Sequence, residues 1–314
     1  MEPDLDVIVL GAGLRGLSAA LEWEARRPDV RLLVVDAAPH VGGRVRTQRT
    51  NGFSCELGPF AFDRAEVEPV LARLSSPPRI LECTATSGWV FDGDGLRSTP
   101  VEPRPVSFAT GAEEVVQACR RQLGNRFALA RAAVRVRTDG ATWHVTLGGD
   151  VPTELTAPTL VLALPTATAA GLLAAFDPEL PSVAARLRSE AAAFVFLGGN
   201  TVEAPWSDGY GIVPTEGISP PVVEAIFCQN AFPGRALPGR FLVRCEVRGE
   251  NATAPDDGLV RTATDELRRW TGGAVTAPFT KVHRFDDGVA DGARAECRVR
   301  LAGVAARAPG LSIA

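Results

Sequence analysis

The sequence is short of several things at once, and each shortage excludes something. Lysine occurs once, at Lys281, although lysine and arginine together number 33 against 37 acidic residues, for a net charge of −4. A nucleic-acid binder shows a basic stripe, and none is found here; the arginine excess reads as ordinary solvated charge. The six cysteines (Cys55, Cys83, Cys119, Cys228, Cys245 and Cys297) are scattered, with no C-x-x-C and no histidine nearby. That argues against a structural zinc site and a disulfide framework, fits a reducing compartment, and leaves each thiol as a small buried hydrophobe. The longest apolar tract, LVLALPTATAAGLLAAF, is interrupted by Pro165 and too broken to cross a bilayer. The N-terminus enters a strand within a few residues and carries no basic n-region or cleavage site, so a cytoplasmic location is expected. No Ser-His-Asp spacing, metal cluster or paired carboxylate stands out.

What is present is enough hydrophobic sequence, 46% of 314 residues, for two domains or one domain interrupted by a second. Residues 5–10 read as a buried strand, 14–27 as an amphipathic helix with Leu14, Leu17, Leu21 and Ala25 on one face, and 30–35 as a second buried strand ending at Asp36. This is a βαβ unit with a right-handed crossover. Further along, GWVFDGDGLRSTP predicts a hairpin around Asp-Gly. Residues 110–124 predict a helix capped by Thr110 and Gly124. Strands follow at 132–137, 141–147 and 159–164, helices at 166–175 and 179–190, mostly β structure over 192–249, helices at 256–270 and 290–307, and a last strand, LSIA.

The chemistry concentrates near the start. Gly11, Gly13 and Gly16 form G-x-G-x-x-G, with Ala12, Leu14 and Arg15 between them, after a strand and at a helix start. The first glycine allows the turn, the second lets backbone approach a pyrophosphate, and the third lets helix and strand pack. The helix N-terminus offers free N–H groups and partial positive charge to phosphate. Asp36, followed by Ala37, lies about 20 residues past Gly16, where an acid accepts from ribose hydroxyls and disfavours a 2′-phosphate. Gly42 and Gly43 then permit a path closed to other residues, and Arg44 follows as a charged donor. As bare chemistry this pair could wrap a pyrophosphate from its second side, bind another anion, or be a plain turn.

The run from Gly11 to Phe62 resembles the N-terminal signature of the FAD-dependent amine oxidase and protoporphyrinogen oxidase superfamily. There an acid-ended second strand is followed by G-G-R and an extended GF…ELGP segment leading to the flavin. Gly58, Pro59 and Phe60 resemble the protoporphyrinogen oxidase branch. The segments VSFATGAEEVVQACRRQLG, TLVLALPTATAAGLL and GYGIVPTEG also resemble that branch, and the resemblance puts the strand at Val134 beside the adenine. It implies an α/β fold: a Rossmann-like FAD-binding domain with a parallel sheet, plus a smaller, mainly antiparallel β substrate domain. The first is expected from 1–62, 104–175 and 281–314, the second from 63–103 and 176–280. The cofactor implied is FAD and the activity hydride transfer from an apolar or amine small molecule. No catalytic side chain is assigned, because flavin oxidations often need little from side chains.

Two departures from the family stand out. The hairpin ends near Pro100 and VSFATG resumes soon after, where family members carry a long helical insertion. APGLSIA resembles the strand that leads to a glycine-rich flavin-covering turn and helix, and Ala314 is the last residue given. The readings left open are a loosely held cofactor, a partner chain or second copy that completes the site, a non-catalytic nucleotide-binding or interaction relative, or a sequence that is a fragment of a longer chain. Lys281 invites comparison with a flavin-adjacent lysine, but FTKVHRF, with His283 and Arg284, reads better as a half-exposed strand of alternating polar residues. His144 reads as an ordinary strand residue. His40 lies before Gly42, within possible reach of a phosphate, and Trp206 and Tyr210 are pocket or core aromatics.

Overall fold

The computed structural model describes residues 3–200 and 208–314, so Trp206 lies outside the described residues. Its first sheet is parallel. Strand β1 (Val7–Leu10) leads through helix α1 (Leu14–Arg26) to strand β2 (Leu32–Val35). Every residue of β1 is buried, because β2 pairs on one side and Thr159–Leu162 on the other. The full order is Leu311–Ile313, Thr159–Leu162, β1, β2, Phe127–Ala128. Continuous apolar runs are what a parallel strand covered on both faces requires. Helices α1 and Glu113–Leu123 cover one face, joined there by Val67, Val70 and Leu71 of helix Arg64–Leu71. Helix Gly292–Arg307 and a three-stranded antiparallel sheet over 133–157 cover the other.

The second sheet has seven strands in the order Phe279–Gly288, Ser189–Asn200, Arg240–Arg248, Val222–Phe227, Gly211–Pro214, Ser87–Phe91, Leu96–Pro100. All its contacts are antiparallel except the one between Gly211–Pro214 and Ser87–Phe91. Strand Phe279–Gly288, whose residues from 281 the expected division puts with the FAD part, is paired within this sheet. Helix Asp256–Thr271 buries Leu259, Ala263, Leu267 and Trp270 on one face. The other face packs Phe194 and Phe196 against Phe53, Phe60 and Phe232, so a hairpin of strands Thr47–Thr50 and Phe53–Glu56 is wedged between the two sheets. A Rossmann-like parallel sheet plus a largely antiparallel β layer is the fold the sequence implied.

Two local expectations are corrected. Helix 110–124 begins at Glu113, and Thr110 does not cap it. Instead the Glu113 N–H donates to the Thr47 hydroxyl (3.1 Å) and the Ala112 N–H to the Glu56 carboxylate (3.1 Å), so the cap is tertiary. The helix at 179–190 stops at Ala184, and Ser189 already begins a long strand whose pairing on both sides overrides local propensity.

Glu56 also meets Arg235 across the layers, with Nε 3.2 Å from Oε1 and both side chains fully buried. The Glu56 carboxylate accepts from Thr47 Oγ1 (2.6 Å), and Arg235 donates to Ser107 Oγ (2.7 Å) and to the Phe108 carbonyl (3.1 Å). Burial pushes the Glu56 carboxyl up, opposed by Arg235. A buried pair of this kind is costly to break from one side, because the remaining charge has no water to turn to. Arg235→Ala is therefore expected to cost about 3–5 kcal/mol in urea denaturation. Adding Glu56→Gln should change little further, whereas additive losses would contradict coupling.

Candidate functional site

The glycine loop is built as the spacing requires, and each glycine does something different. At Gly11, with φ 107°, a Cβ would fall 2.3 Å from the Ala163 carbonyl oxygen, and at Gly16 it would fall 1.9 Å from the Gly11 oxygen. Those two are fixed by packing. At Gly13 a Cβ would meet nothing within 4 Å, so the space before the α1 N-terminus is open. Gly13 is the N-cap without a capping side chain, and the first turn carries no acid. The first-turn N–H groups thus remain available to an anion.

The second glycine pair sits directly on the first loop. The Gly42 N–H donates to the Ala12 carbonyl (2.7 Å), and Gly13 and Gly42 form a parallel bridge. Gly42 and Gly43 have φ of 110° and 57°, and a Cβ on Gly43 would come 3.3 Å from the Gly13 Cα. Only glycine lets the two loops touch. Asp36, at the end of β2, accepts from the Ala12 N–H (2.6 Å) and the Ala38 N–H (2.8 Å). Each carboxylate oxygen keeps a second lone pair for a hydroxyl.

Arg44 emerges from the second loop and reaches the antiparallel sheet. Its Nη1 donates to Asp287 Oδ1 (2.8 Å), and its guanidinium lies 4.9 Å from the centre of the Phe285 ring. Burial raises the Asp287 carboxyl, but Arg44 and Arg248 outweigh it and hold the group below the ordinary range. A cavity of about 540 Å³ opens here, lined by Arg15, Arg44, Pro165, Asp287, Arg294 and Arg298 among others. It lies past the end of strand Thr159–Leu162, at the carboxyl edge where α/β sheets receive ligands. Open space at Gly13, uncapped N–H groups and clustered arginines fit a dinucleotide.

The remaining expected residues divide. A Cβ on Gly58 would lie 1.7 Å from the Arg44 carbonyl oxygen, and the Gly58 carbonyl accepts from Arg244 Nη1 (2.7 Å). Pro59 lines a groove shared with Leu14 and Arg15. Phe60 is buried in the aromatic core, within 5.5 Å of Phe232 and 5.4 Å of the Arg244 guanidinium. Tyr210 packs edge-on to it at 6.2 Å. Ala37 is exposed beside Asp36, and Val134 is exposed on strand Ala133–Thr138, over Gly148. Arg244, buried and 4.2 Å from the Phe194 ring, was not singled out. Its strand, RFLVRCEVR, puts charged residues along one face, which gives no local sign that Arg244 is the buried one.

On strand Phe279–Gly288 the period of two puts Lys281, His283, Phe285 and Asp287 on one face. Arg284 is on the other, paired with Asp256 at 2.8 Å. Burial first, then Lys281, Arg46 and Arg44, pull His283 below its ordinary value. His144 hydrogen-bonds Glu154 (2.9 Å) on the three-stranded sheet.

Comparison with known proteins gives the family-level match. The family model for flavin containing amine oxidoreductase matches residues 86–310, and that for an NAD(P)-binding Rossmann-like domain matches 9–75. Coproporphyrinogen III oxidase of Propionibacterium freudenreichii subsp. freudenreichii is 41% identical over 56 residues, 18% of this chain and 10% of that protein. The Bacillus subtilis (strain 168) coproporphyrinogen III oxidase is 33% identical over 72 residues, 21% of this chain and 15% of that protein. These matches therefore span a small part of the relatives' length. In fold, a protein from Exiguobacterium sp. 255-15 assigned as a protoporphyrinogen oxidase superposes with a TM-score of 0.79 at 15% identity, covering 100% of this chain and 94% of that one.

The glycine geometry separates folding from binding. Gly16→Ala should lower stability by about 2 kcal/mol or more through its backbone clash. Gly13→Ala should cost about 1 kcal/mol or less yet weaken FAD binding more than tenfold, read by thermal melts and flavin fluorescence titration. Equal FAD affinity for Gly13→Ala and the parent would remove the phosphate from this loop.

Proposed function

The chain belongs to the flavin containing amine oxidoreductase family, and from that premise we propose that it is a FAD-dependent oxidoreductase related to the protoporphyrinogen oxidases. The substrate is a small organic molecule, apolar or an amine, that loses a hydride from a C–H bond and a proton to solvent. The observation that carries this reading is the clasp of the Gly13 and Gly42 loops over the open end of α1.

In this reading the first-turn N–H groups of α1 and the Gly13 backbone hold phosphate, and Asp36 accepts from the ribose. Arg44 neutralises the pyrophosphate when it exchanges Asp287 for that anion, a charge-for-charge swap within one cavity. Flavin, when bound, supplies the hydride acceptor. The seven-stranded sheet carries the substrate surface. We assign the nucleotide part to 1–62, 104–175 and the C-terminal segment, joined by helices Arg64–Leu71 and Leu180–Ala184 that pack on it. The substrate part is the rest of 63–103 and 176–280, with strand Phe279–Gly288 continuing the substrate sheet.

A second reading, in which a partner chain or second copy closes the site, draws on a groove of about 560 Å³ beside the nucleotide loop, where Leu14, Phe62 and Val70 are flanked by Arg15, Glu22 and Glu66. Anaerobic mixing of the FAD-loaded protein with porphyrinogens and primary amines should bleach the flavin absorbance with at least one of them, and oxygen should restore it. Flavin that dithionite reduces but no candidate substrate bleaches would count against an autonomous oxidoreductase. Flavin retention that rises with protein concentration would favour completion by another copy.

A further inference from the structure

We propose that the cleft between the Thr47–Glu56 hairpin and the Phe279 end of the large sheet binds a carboxylate-bearing aromatic or conjugated molecule, held by Lys281 and Arg240 above an aromatic floor. This deepens the oxidoreductase reading, on which it rests only in treating the bound molecule as substrate.

The cleft has a volume of about 660 Å³. Its floor is Phe53 and Phe279, stacked with ring centres 4.5 Å apart and planes 24° from parallel. Gly198 makes that floor possible, since a Cβ there would fall 2.8 Å from Phe53 Cζ and 3.1 Å from Phe279 Cδ1. Phe53 is buried and Phe279 half-buried, so the Phe279 ring, backed by Phe53, offers stacking area to a planar guest and little to a flexible aliphatic one.

The charge around the floor has one sign. Lys281 and Arg240 both line the cleft, and no Asp or Glu does among the described residues. Lys281 is half-buried, and its ammonium has no hydrogen-bond or ion-pair partner among the described residues. An ammonium in the cleft with no acidic partner among the described residues is free to pair with an incoming anion. Arg240 donates once, to the Asn51 carbonyl (3.2 Å), and lies 5.7 Å from the Phe53 ring centre, leaving further N–H donors for a carboxylate. The positive field extends along the strand face, because His283 is depressed, after burial, by Lys281, Arg46 and Arg44.

A cationic amine entering this cleft meets two like charges and no acid, which disfavours it. A carboxylate meets both cations while its conjugated body lies on the Phe279 ring. Lys281 and Asp287 share a strand face six residues apart, about 20 Å, so the cleft is on the same surface as the Arg44 cavity and separate from it.

The test is isothermal titration of the full chain, both FAD-free and FAD-loaded, with 1-naphthoate and with 1-naphthylmethylamine at low ionic strength. Saturable naphthoate binding is expected, weakened about tenfold or more in Lys281→Gln/Arg240→Gln and by added salt. The amine should bind at least tenfold more weakly. Arg284→Gln, on the opposite strand face, should leave naphthoate affinity unchanged, with unchanged melting curves reporting intact folds. Equal or tighter binding of the amine, or naphthoate affinity indifferent to the double substitution, would overturn the proposal. Flavin retention is read separately by absorbance, so loss of the flavin reading and loss of the anion cleft are distinct results.

Discussion

The structure turns on one backbone hydrogen bond, from the Gly42 N–H to the Ala12 carbonyl, and on the absence of side chains that lets it form. In net energy such a bond is modest, about 1 kcal/mol. Its importance is positional. It fixes the start of the second loop against the start of α1, so that Arg44 leaves from the mouth of the nucleotide loop and ends beside the large sheet. Without the close approach of Gly43 to Gly13, the two anion-facing elements would be separate turns.

The segment that follows ties that geometry to the rest of the molecule. Between Thr47 and Gly58 one hairpin serves four purposes. Thr47 and Glu56 cap helix Glu113–Leu123, Glu56 meets Arg235 in the core, Phe53 forms the floor of the basic cleft, and the Gly58 carbonyl receives Arg244. The glycine loops and the seven-stranded sheet therefore share one packed element. A molecule seated in the cleft and one seated on the loops would be held in a fixed relation by packed structure.

Much of this was legible in the sequence, and the limits have physical causes. The strand–glycine–helix–acid pattern at 7–36 is local, so periodicity and spacing disclosed it, and the Gly42-Gly43-Arg44 run announced a special backbone path. Strand 153–157 was missed because TELTA has no strong β signal apart from its pairing with Trp143–Leu147. The helix cap at Thr47 and Glu56 lies some 60 residues from the helix it serves, beyond any local pattern. Lys281 looked like one polar position of a half-exposed strand. That no described residue pairs with its ammonium is visible only with the hairpin folded beside it. Asp287, which lies beyond FTKVHRF and in no motif, is the partner of Arg44.

The claim on which the rest depends is that the two clasped loops hold a flavin dinucleotide. The most direct measurement is the absorption spectrum of the purified chain after incubation with FAD and desalting, beside a parallel sample incubated with NAD and then FAD. A retained flavin spectrum, near one flavin per chain and little reduced by NAD, is the expected result. A chain that remains folded by circular dichroism yet emerges colourless would contradict it.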